Sequence, residues 1–581
     1  MKAKILTWVT VVACATALAQ DERIAPKTPA PKKPAAEIGM TEAEAKASDE
    51  IVVPPLQAIV IVPAVDQIKP EGLPEAKGIE VRGPDFLRTP EFEQLLTPYL
   101  GQPMSLRKVY RLQREVILFC RQQDHPIIDA FYPEQDSTRG VIQMVVLEGK
   151  VGRVTVNNPD PKYFPDSRFI DAIRVRPDEN VLESELLADI NWMNRNSYFR
   201  DVDVLFKQGD LGKVDIQLDV KDRIPVRPYV GYENSGNEIL GEHRALMGVN
   251  LGDVLGLDHQ LNYQFTADVE LESFKAHSLS YIAPLPWRHT LTVFGSYVDI
   301  ESDLLGFFNQ EGQSYQASMR YGVPLPRFAA LDHEVSAGFD YKRTDNNLEF
   351  GVVSVFDVPT EIAQFVLGYR AFRPDSFGST SAGIQGFYSP GGLTRYNEDV
   401  NFALNRPGTD DSYVYFRVLA ARATKLPLGD NWRQRDISQL FSWHVTGTYQ
   451  WADSRLLPSE QLGLGGYATV RGYEERVVNG DDGWIINNEL RSPAFRLGNL
   501  TGKQGAYDTM QFLVFSDYGA ARSPEADFDL VSVGGGMRFN VSTHFQFRLD
   551  YGFQLTDKGL SSLGAGEGKD SRVHLGALLS F

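Results

Sequence analysis

Cysteine is almost missing from the 581 residues: only Cys14 and Cys120 occur. Two thiols exclude a disulfide-stapled scaffold. Beyond the extreme N-terminus there is no unbroken run of about 18 apolar residues, the length a spanning helix needs. That excludes helical membrane spanning but leaves strands open, because barrel strands alternate and keep average hydropathy low. Positive charge is in deficit, with 58 Lys and Arg against 76 Asp and Glu and a formal net charge of −18. With no dense Lys/Arg stripe either, a nucleic-acid partner is not expected. The nine histidines are scattered without metal-ligand spacing, so no metal site is expected. No pair of carboxylates is marked for acid/base work, and no catalytic residue stands out. Gly463, Gly465 and Ala468 form a loose dinucleotide pattern with no helix after it, and Leu563 replaces the glycine that a phosphate loop would need before Gly568-Lys569. The expectation is a protein without cofactor and without enzymatic chemistry.

What is present begins with an export signal over residues 1–19: Lys2 and Lys4, an apolar stretch from Ile5 to Leu18, then Ala17-Leu18-Ala19 before Gln20. A rival reading takes Val11 to Cys14 as a lipoprotein box with Cys14 acylated. Cleavage after Ala19 removes Cys14 and leaves Cys120 alone, on the apolar face of an expected helix, where core packing is its role. Residues 20–51, with Pro26, Pro29, Pro31 and Pro34, read as a disordered or semi-extended linker.

Residues 52–150 and 151–222 read as two copies of strand-helix-helix-strand-strand. In the first, Thr89 is the expected N-cap, Pro90 the first helical residue, and a second helix starts near Ser105 with Leu106, Val109, Leu112, Val116 and Phe119 at helical spacing. In the second, Leu186, Leu187, Ile190 and Met193 mark the apolar face of a helix over 183–194, and Val214, Ile216, Leu218 and Val220 alternate as a strand.

From residue 223 to 581 the pattern is strands alone. Phe545 to Leu555 alternates for eleven residues, the length of a tilted membrane strand. Sixteen such segments can be counted, an even number that suits a transmembrane antiparallel barrel. The fold class is therefore mainly β: a C-terminal 16-stranded transmembrane barrel preceded by two α+β domains. Between the eleventh and twelfth strands, in a loop near 461–482, stands Val470-Arg471-Gly472-Tyr473. A cation there needs an anionic partner, and the thirteenth strand offers Asp517 within Phe515-Ser516-Asp517-Tyr518-Gly519, where an outward carboxylate would meet lipid.

Two such repeats, a barrel, the Val-Arg-Gly-Tyr loop and the Phe-x-Asp-x-Gly strand together resemble the two-partner secretion translocators, the haemolysin and filamentous-haemagglutinin transporter family. The repeats resemble its polypeptide-transport-associated (POTRA) domains. This resemblance implies an outer-membrane protein of a Gram-negative cell with its N-terminal domains in the periplasm. It implies export of one large β-rich partner, unfolded, without nucleotide hydrolysis. It also implies that Arg471 pairs with Asp517 inside the lumen, that Gly472 allows the turn, and that Tyr473, Phe515 and Gly519 shape the contact, with Val470 opening the motif. His574, Gly576, Leu579 and Phe581 resemble the C-terminal signal by which the barrel assembly machinery recognises its clients. Expected partners are thus that machinery, outer-membrane lipid, and a secreted substrate protein bound by the POTRA-like repeats, for which strand addition at a repeat edge is one route. Family members often carry a plug helix and a long tether ahead of the first repeat; residues 20–51 are too short for both. An assembly factor that inserts other barrels, a diffusion porin and a surface adhesin remain as alternatives.

Overall fold

The computed structural model describes residues 47–581, apart from 197, 209–212, 238–239, 305–307, 329–330, 346–358, 427–439, 498–507, 543 and 559–569. The export signal, the lipoprotein reading of Cys14, most of the linker and the question of a plug lie outside the described residues. No described helix is long and apolar enough to cross a membrane. Contacts divide the chain into two compact units that part between Arg223 and Ile224.

In the N-terminal unit the first repeat is built on β2 (Ala58–Val62), five buried apolar residues in a row. A strand apolar on both faces needs cover on both. Ile59 and Ile61 meet Leu87, Phe92, Leu96, Leu112 and Val116 on one side, while Ala58, Val60 and Val62 meet Ile68, Ala76, Val141 and Val145 on the other. The sheet order is β3 (Gly78–Val81), β2, β6 (Val141–Glu148), β5 (Ile128–Phe131). Helix α1 (Pro90–Leu96) starts as expected, Thr89 Oγ1 accepting from the Phe92 amide at 3.3 Å. Helix α2 (Leu106–Gln122) is capped by Ser105 and buries Val109, Leu112, Val116, Phe119 and Cys120. Burial pushes the Cys120 thiol up to about 12.

The second repeat pairs β7 (Lys150–Asn157) in parallel with β9 (Lys213–Asp222), and β9 antiparallel with β8 (Arg200–Gln208). Helices α3 (Asp166–Ala172) and α4 (Glu183–Met193) cover that sheet, α4 through Leu186, Ile190 and Met193. The repeats are tied together at the start of α4, which borrows its cap from the first repeat: the Asp124 carboxylate accepts from the Ser184 amide at 2.6 Å, and the Asp124 carbonyl from the Glu183 amide at 2.9 Å.

Three features depart from the sequence reading. β3 is an added strand, too short and too hemmed by turn residues to show a period. β1 (Ile51–Val53) pairs with β4 (Met104–Ser105). Residues 47–51, read as linker, are docked: the Arg107 guanidinium donates to the Ala47 carbonyl at 3.0 Å, and the Arg107 amide to the Ser48 carbonyl at 3.3 Å. Polar main chain carries that docking, and hydropathy does not register it.

The second unit is a closed antiparallel barrel. Its long strands are β10 (Val226–Glu233), β11 (Arg244–Val254), β12 (His259–Asp268), β13 (Phe274–Pro284), β14 (Thr290–Leu304), β15 (Phe308–Pro324), β16 (Asp332–Thr344), β17 (Thr360–Asp375), β18 (Gly378–Pro390), β19 (Ser412–Leu426) and β20 (Phe441–Ala452). After the ribbon strands β21 (Leu462–Leu464) and β22 (Val478–Gly480) come β23 (Asp482–Arg491), the two-residue β24 (Phe495–Arg496), β25 (Thr509–Arg522), β26 (Asp527–Val541), β27 (Phe545–Lys558) and β28 (Ser571–Ser580). The sixteen long strands close where β10 pairs with β28, Tyr229 opposite Ser580 through Glu233 opposite Gly576. Alternation sets the faces: on β17, Phe365 and Leu367 are exposed while Ile362, Gln364 and Val366 are buried. Several strands run longer than read; β15 has 17 residues. The added ends mix polar and apolar residues without a clean period, as in Phe308-Asn309-Gln310-Glu311 of β15, so alternation fades there although the ladder continues. The sequence reading also missed a short helix, α5 (Asp399–Asn405), between β18 and β19.

Candidate functional site: the lumenal socket of the arginine loop

The segment between β20 and β23 turns into the barrel as a narrow ribbon, Leu462 to Leu464 paired with Val478 to Gly480. Glycines permit its sharp tip: Gly465, Gly466 and Gly472 have φ of +101°, +97° and +95°. Space demands glycine at Gly472 as well, since a Cβ there would lie 3.0 Å from the Gly552 carbonyl carbon of β27, and one on Gly552 would lie 2.6 Å from the Gly472 nitrogen. Two glycines face each other so that the loop can touch the wall.

Alternation on β25 turns Phe512 and Val514 outward and Phe515 and Asp517 inward. The carboxylate therefore avoids lipid and meets Arg471. The guanidinium holds it with both arms, Nε to Oδ2 at 2.7 Å and Nη2 to Oδ1 at 2.8 Å, and the Arg471 amide adds a third bond to Oδ2 at 3.1 Å. Arg471 is 3% exposed and Asp517 1%, so both ions are dry and need this bidentate geometry to offset their lost hydration. Phe515 lies under the guanidinium, 3.6 Å from its carbon to the ring centre. Val470 is buried with Leu462, Leu464 and Val478; a Cβ on Gly519 would sit 2.7 Å from its Cγ2. Tyr473 reaches the next strands, its hydroxyl donating to the Val531 carbonyl at 2.9 Å and also contacting the Thr556 carbonyl.

Residues that sequence reasoning missed complete the socket. Nη1 of Arg471 donates to Glu489 of β23 at 2.6 Å and approaches Asp550 of β27 at 3.4 Å. Asp550 in turn takes both arms of Arg538 of β26, at 2.6 and 2.8 Å, and Glu489 pairs with Arg491. Three arginines thus face three carboxylates, and the buried charges balance. No local motif marks Glu489 or Asp550; an inward acid on an alternating strand near Asp517 is the one signal each carries.

His574, Gly576, Leu579 and Phe581 share β28 and the residue after it. His574 is buried in the lumen, and its Nε2 accepts the Gly472 amide at 2.9 Å. Gln554 Nε2 donates to the Gly472 carbonyl at 2.7 Å, so the glycine is held by both its amide and its carbonyl. A Cβ on Gly576 would sit 2.6 Å from Arg548 Nε. Leu579 and Phe581 are exposed on the outside. The tip of the loop is thereby fastened to β23, β25, β27 and β28.

The profile of the family described as haemolysin secretion/activation protein ShlB/FhaC/HecB matches residues 212–539, more than half of the chain. The chain belongs to that family. A ShlB-type POTRA domain matches residues 75–149. Among curated relatives, the heme/hemopexin transporter protein HuxB of Haemophilus influenzae is 21% identical over 455 residues, 75% of this chain and 73% of the relative. The outer membrane transporter CdiB of Escherichia coli is 23% identical over 443 residues, covering 72% and 69%. Among solved structures, CdiB from Escherichia coli superposes with a TM-score of 0.66 at 17% identity, covering 96% of this chain and 94% of that one. CdiB from Acinetobacter baumannii gives 0.61 at 14% identity, covering 97% and 96%. As a member of the family the protein is an outer-membrane transporter of two-partner secretion, with POTRA domains on the periplasmic side.

Proposed function

We propose that this barrel passes one secreted, β-rich polypeptide, unfolded, from the periplasm to the cell surface, without nucleotide hydrolysis and without covalent chemistry of its own. The named relatives are transporters, and the anchored loop in the lumen is the observation that carries the reading. In it, residues 52–150 and 151–222 are the POTRA-like domains that receive the substrate, and 223–581 form the pore. Arg471 is the loop anchor and Asp517 its partner on the wall. Val470, Gly472, Tyr473, Phe515 and Gly519 fix the approach. His574, Gly576, Leu579 and Phe581 close the last strand and present it to the barrel assembly machinery, and outer-membrane lipid covers the outward face of the strands.

A firmly held loop is worth its desolvation only if its position matters to transport. Removing one ion from so dry a pair costs about 3–5 kcal/mol, enough to free the tip. Arg471→Ala is expected to abolish appearance of the partner in the medium while the barrel still shows heat-modifiable migration. Normal secretion by that variant would refute the assignment.

A further inference from the structure

The arginine loop is also fastened far from its tip, on the opposite wall. Glu460 lies on the leg that leads from β20 into the ribbon and is 1% exposed. Its Oε1 accepts from Lys342 Nζ of β16 at 2.6 Å, and its Oε2 from the Tyr415 hydroxyl of β19 at 2.7 Å and Gln364 Nε2 of β17 at 3.0 Å. Its carbonyl accepts from Gln450 Nε2 of β20 at 3.1 Å. Just beside it Leu456 and Leu457 pack with Phe402 of α5, Tyr413 and Tyr415. Arg406, which follows α5, grips Asp481 at the other end of the loop at 2.5 and 2.8 Å, and donates to the Leu456 carbonyl at 2.6 Å. One loop therefore bridges the lumen, its tip held by β23 to β28 and its leg by β16 to β19.

The two fastenings differ in kind. At the tip a planar guanidinium is matched by three carboxylates, an aromatic face and a glycine held by both its amide and its carbonyl, and withdrawing it leaves the fully buried Asp517 without its cation, while Asp550 keeps Arg538 and Glu489 keeps Arg491. At the leg the single carboxylate faces one ammonium, a compact charge on a flexible stem, together with the neutral donors Tyr415 and Gln364. Lys342 also retains more solvent contact than Glu460. We propose that Glu460 and Lys342 form the gate of this pore: opening releases the leg, residues 453–460, from the β16–β19 wall, while the Arg471 socket stays closed and serves as the pivot. Glu460 acts as a positioning residue for transport, holding the leg across the path until a substrate displaces it.

Single-channel recording of the purified full-length protein in planar bilayers tests this. Glu460→Gln and Lys342→Met are each expected to raise the fraction of time spent conducting roughly tenfold, the shift produced by losing about 1.4 kcal/mol of bias toward the closed state. Exchange of the charges, Lys342→Glu with Glu460→Lys, is expected to bring that fraction back toward the wild type, which a merely damaged barrel would not do. Heat-modifiable migration of each variant verifies the fold, and Lys342→Met carries the same reading should Glu460→Gln fail to assemble. Equal open fractions in the wild type and both single variants would overturn the gate, as would an exchange variant as leaky as the singles. The proposal rests on the pore reading, and a wild-type protein that conducts under no condition would refute that reading rather than the gate alone.

Discussion

The N-terminal repeats and the barrel bury opposite things. In the repeats the inaccessible residues are aliphatic and aromatic, Ile59, Ile61, Phe92, Leu112 and Val116 among them. In the barrel Arg471, Asp517, Asp550, Glu460 and Asp340 are buried, while Trp484, Leu367, Phe365 and Val514 are exposed. One physical rule gives both results. A water-borne domain hides apolar area from water, whereas a barrel in lipid turns that area outward and must pair its polar groups within. The repeats are accordingly held by packing that tolerates some relaxation. The barrel interior is held by directional bonds between ions, which fail as a set when one partner goes.

The contrast predicts where substitutions hurt. Asp517→Ala is expected to have the largest effect: it leaves the Arg471 guanidinium short of its bidentate partner at a cost of about 3–5 kcal/mol, and export of the partner should fall to the level of the Arg471→Ala variant. Unaffected export would argue against the pairing. Phe92→Ala in the first repeat should cost the N-terminal unit about 3–5 kcal/mol through its cavity. Limited proteolysis of the full-length protein would show 47–223 cut rapidly while the barrel keeps its heat-modifiable form; equal loss of both units would contradict their independent cores.

A matched pair of substitutions sharpens the comparison further. Leu367→Arg on the lipid face is expected to destabilise the barrel by about 2–4 kcal/mol. Ile170→Arg on the exposed face of α3 should stay within about 0.5 kcal/mol, because water already receives that side chain. Urea unfolding in lipid vesicles, followed by tryptophan fluorescence and by proteolysis, measures both. Near neutral pH the smallest effect concerns Cys120. Its thiol stays neutral in the folded repeat because burial has raised it, whereas the unfolded thiol ionises from about pH 8.5. Its contribution is fully present below that value, and stability falls by up to about 1.4 kcal/mol per pH unit as pH rises from there toward 12. Alkylation at pH 8 should require unfolding first, and rapid labelling of native protein would oppose a packed thiol.

Much of the architecture was legible from period and capping. The Thr89 cap, the helix start near Ser105, the sixteen strands and the position of the arginine loop between the eleventh and twelfth follow from residue types a few positions apart. β3, the β1–β4 pairing and α5 were not legible, because segments of two to seven residues carry too little period to stand out from turns. At the site, Arg471 and Asp517 could be paired through their motifs. Glu489, Asp550, His574 and Glu460 could not, since each is one polar residue among many on an inward face.

The amino-acid sequence by itself determined that this chain makes two α+β repeats and a closed barrel, since alternation, helical spacing and caps act locally, and it marked the Arg471 loop for the lumen. Only the tertiary structure decided which charges meet there. Partners such as Gly472 and His574, or Lys342 and Glu460, lie about a hundred residues apart. Strand register and the path of one loop bring them within bonding distance, and the cost of leaving a dehydrated ion unpaired holds them there.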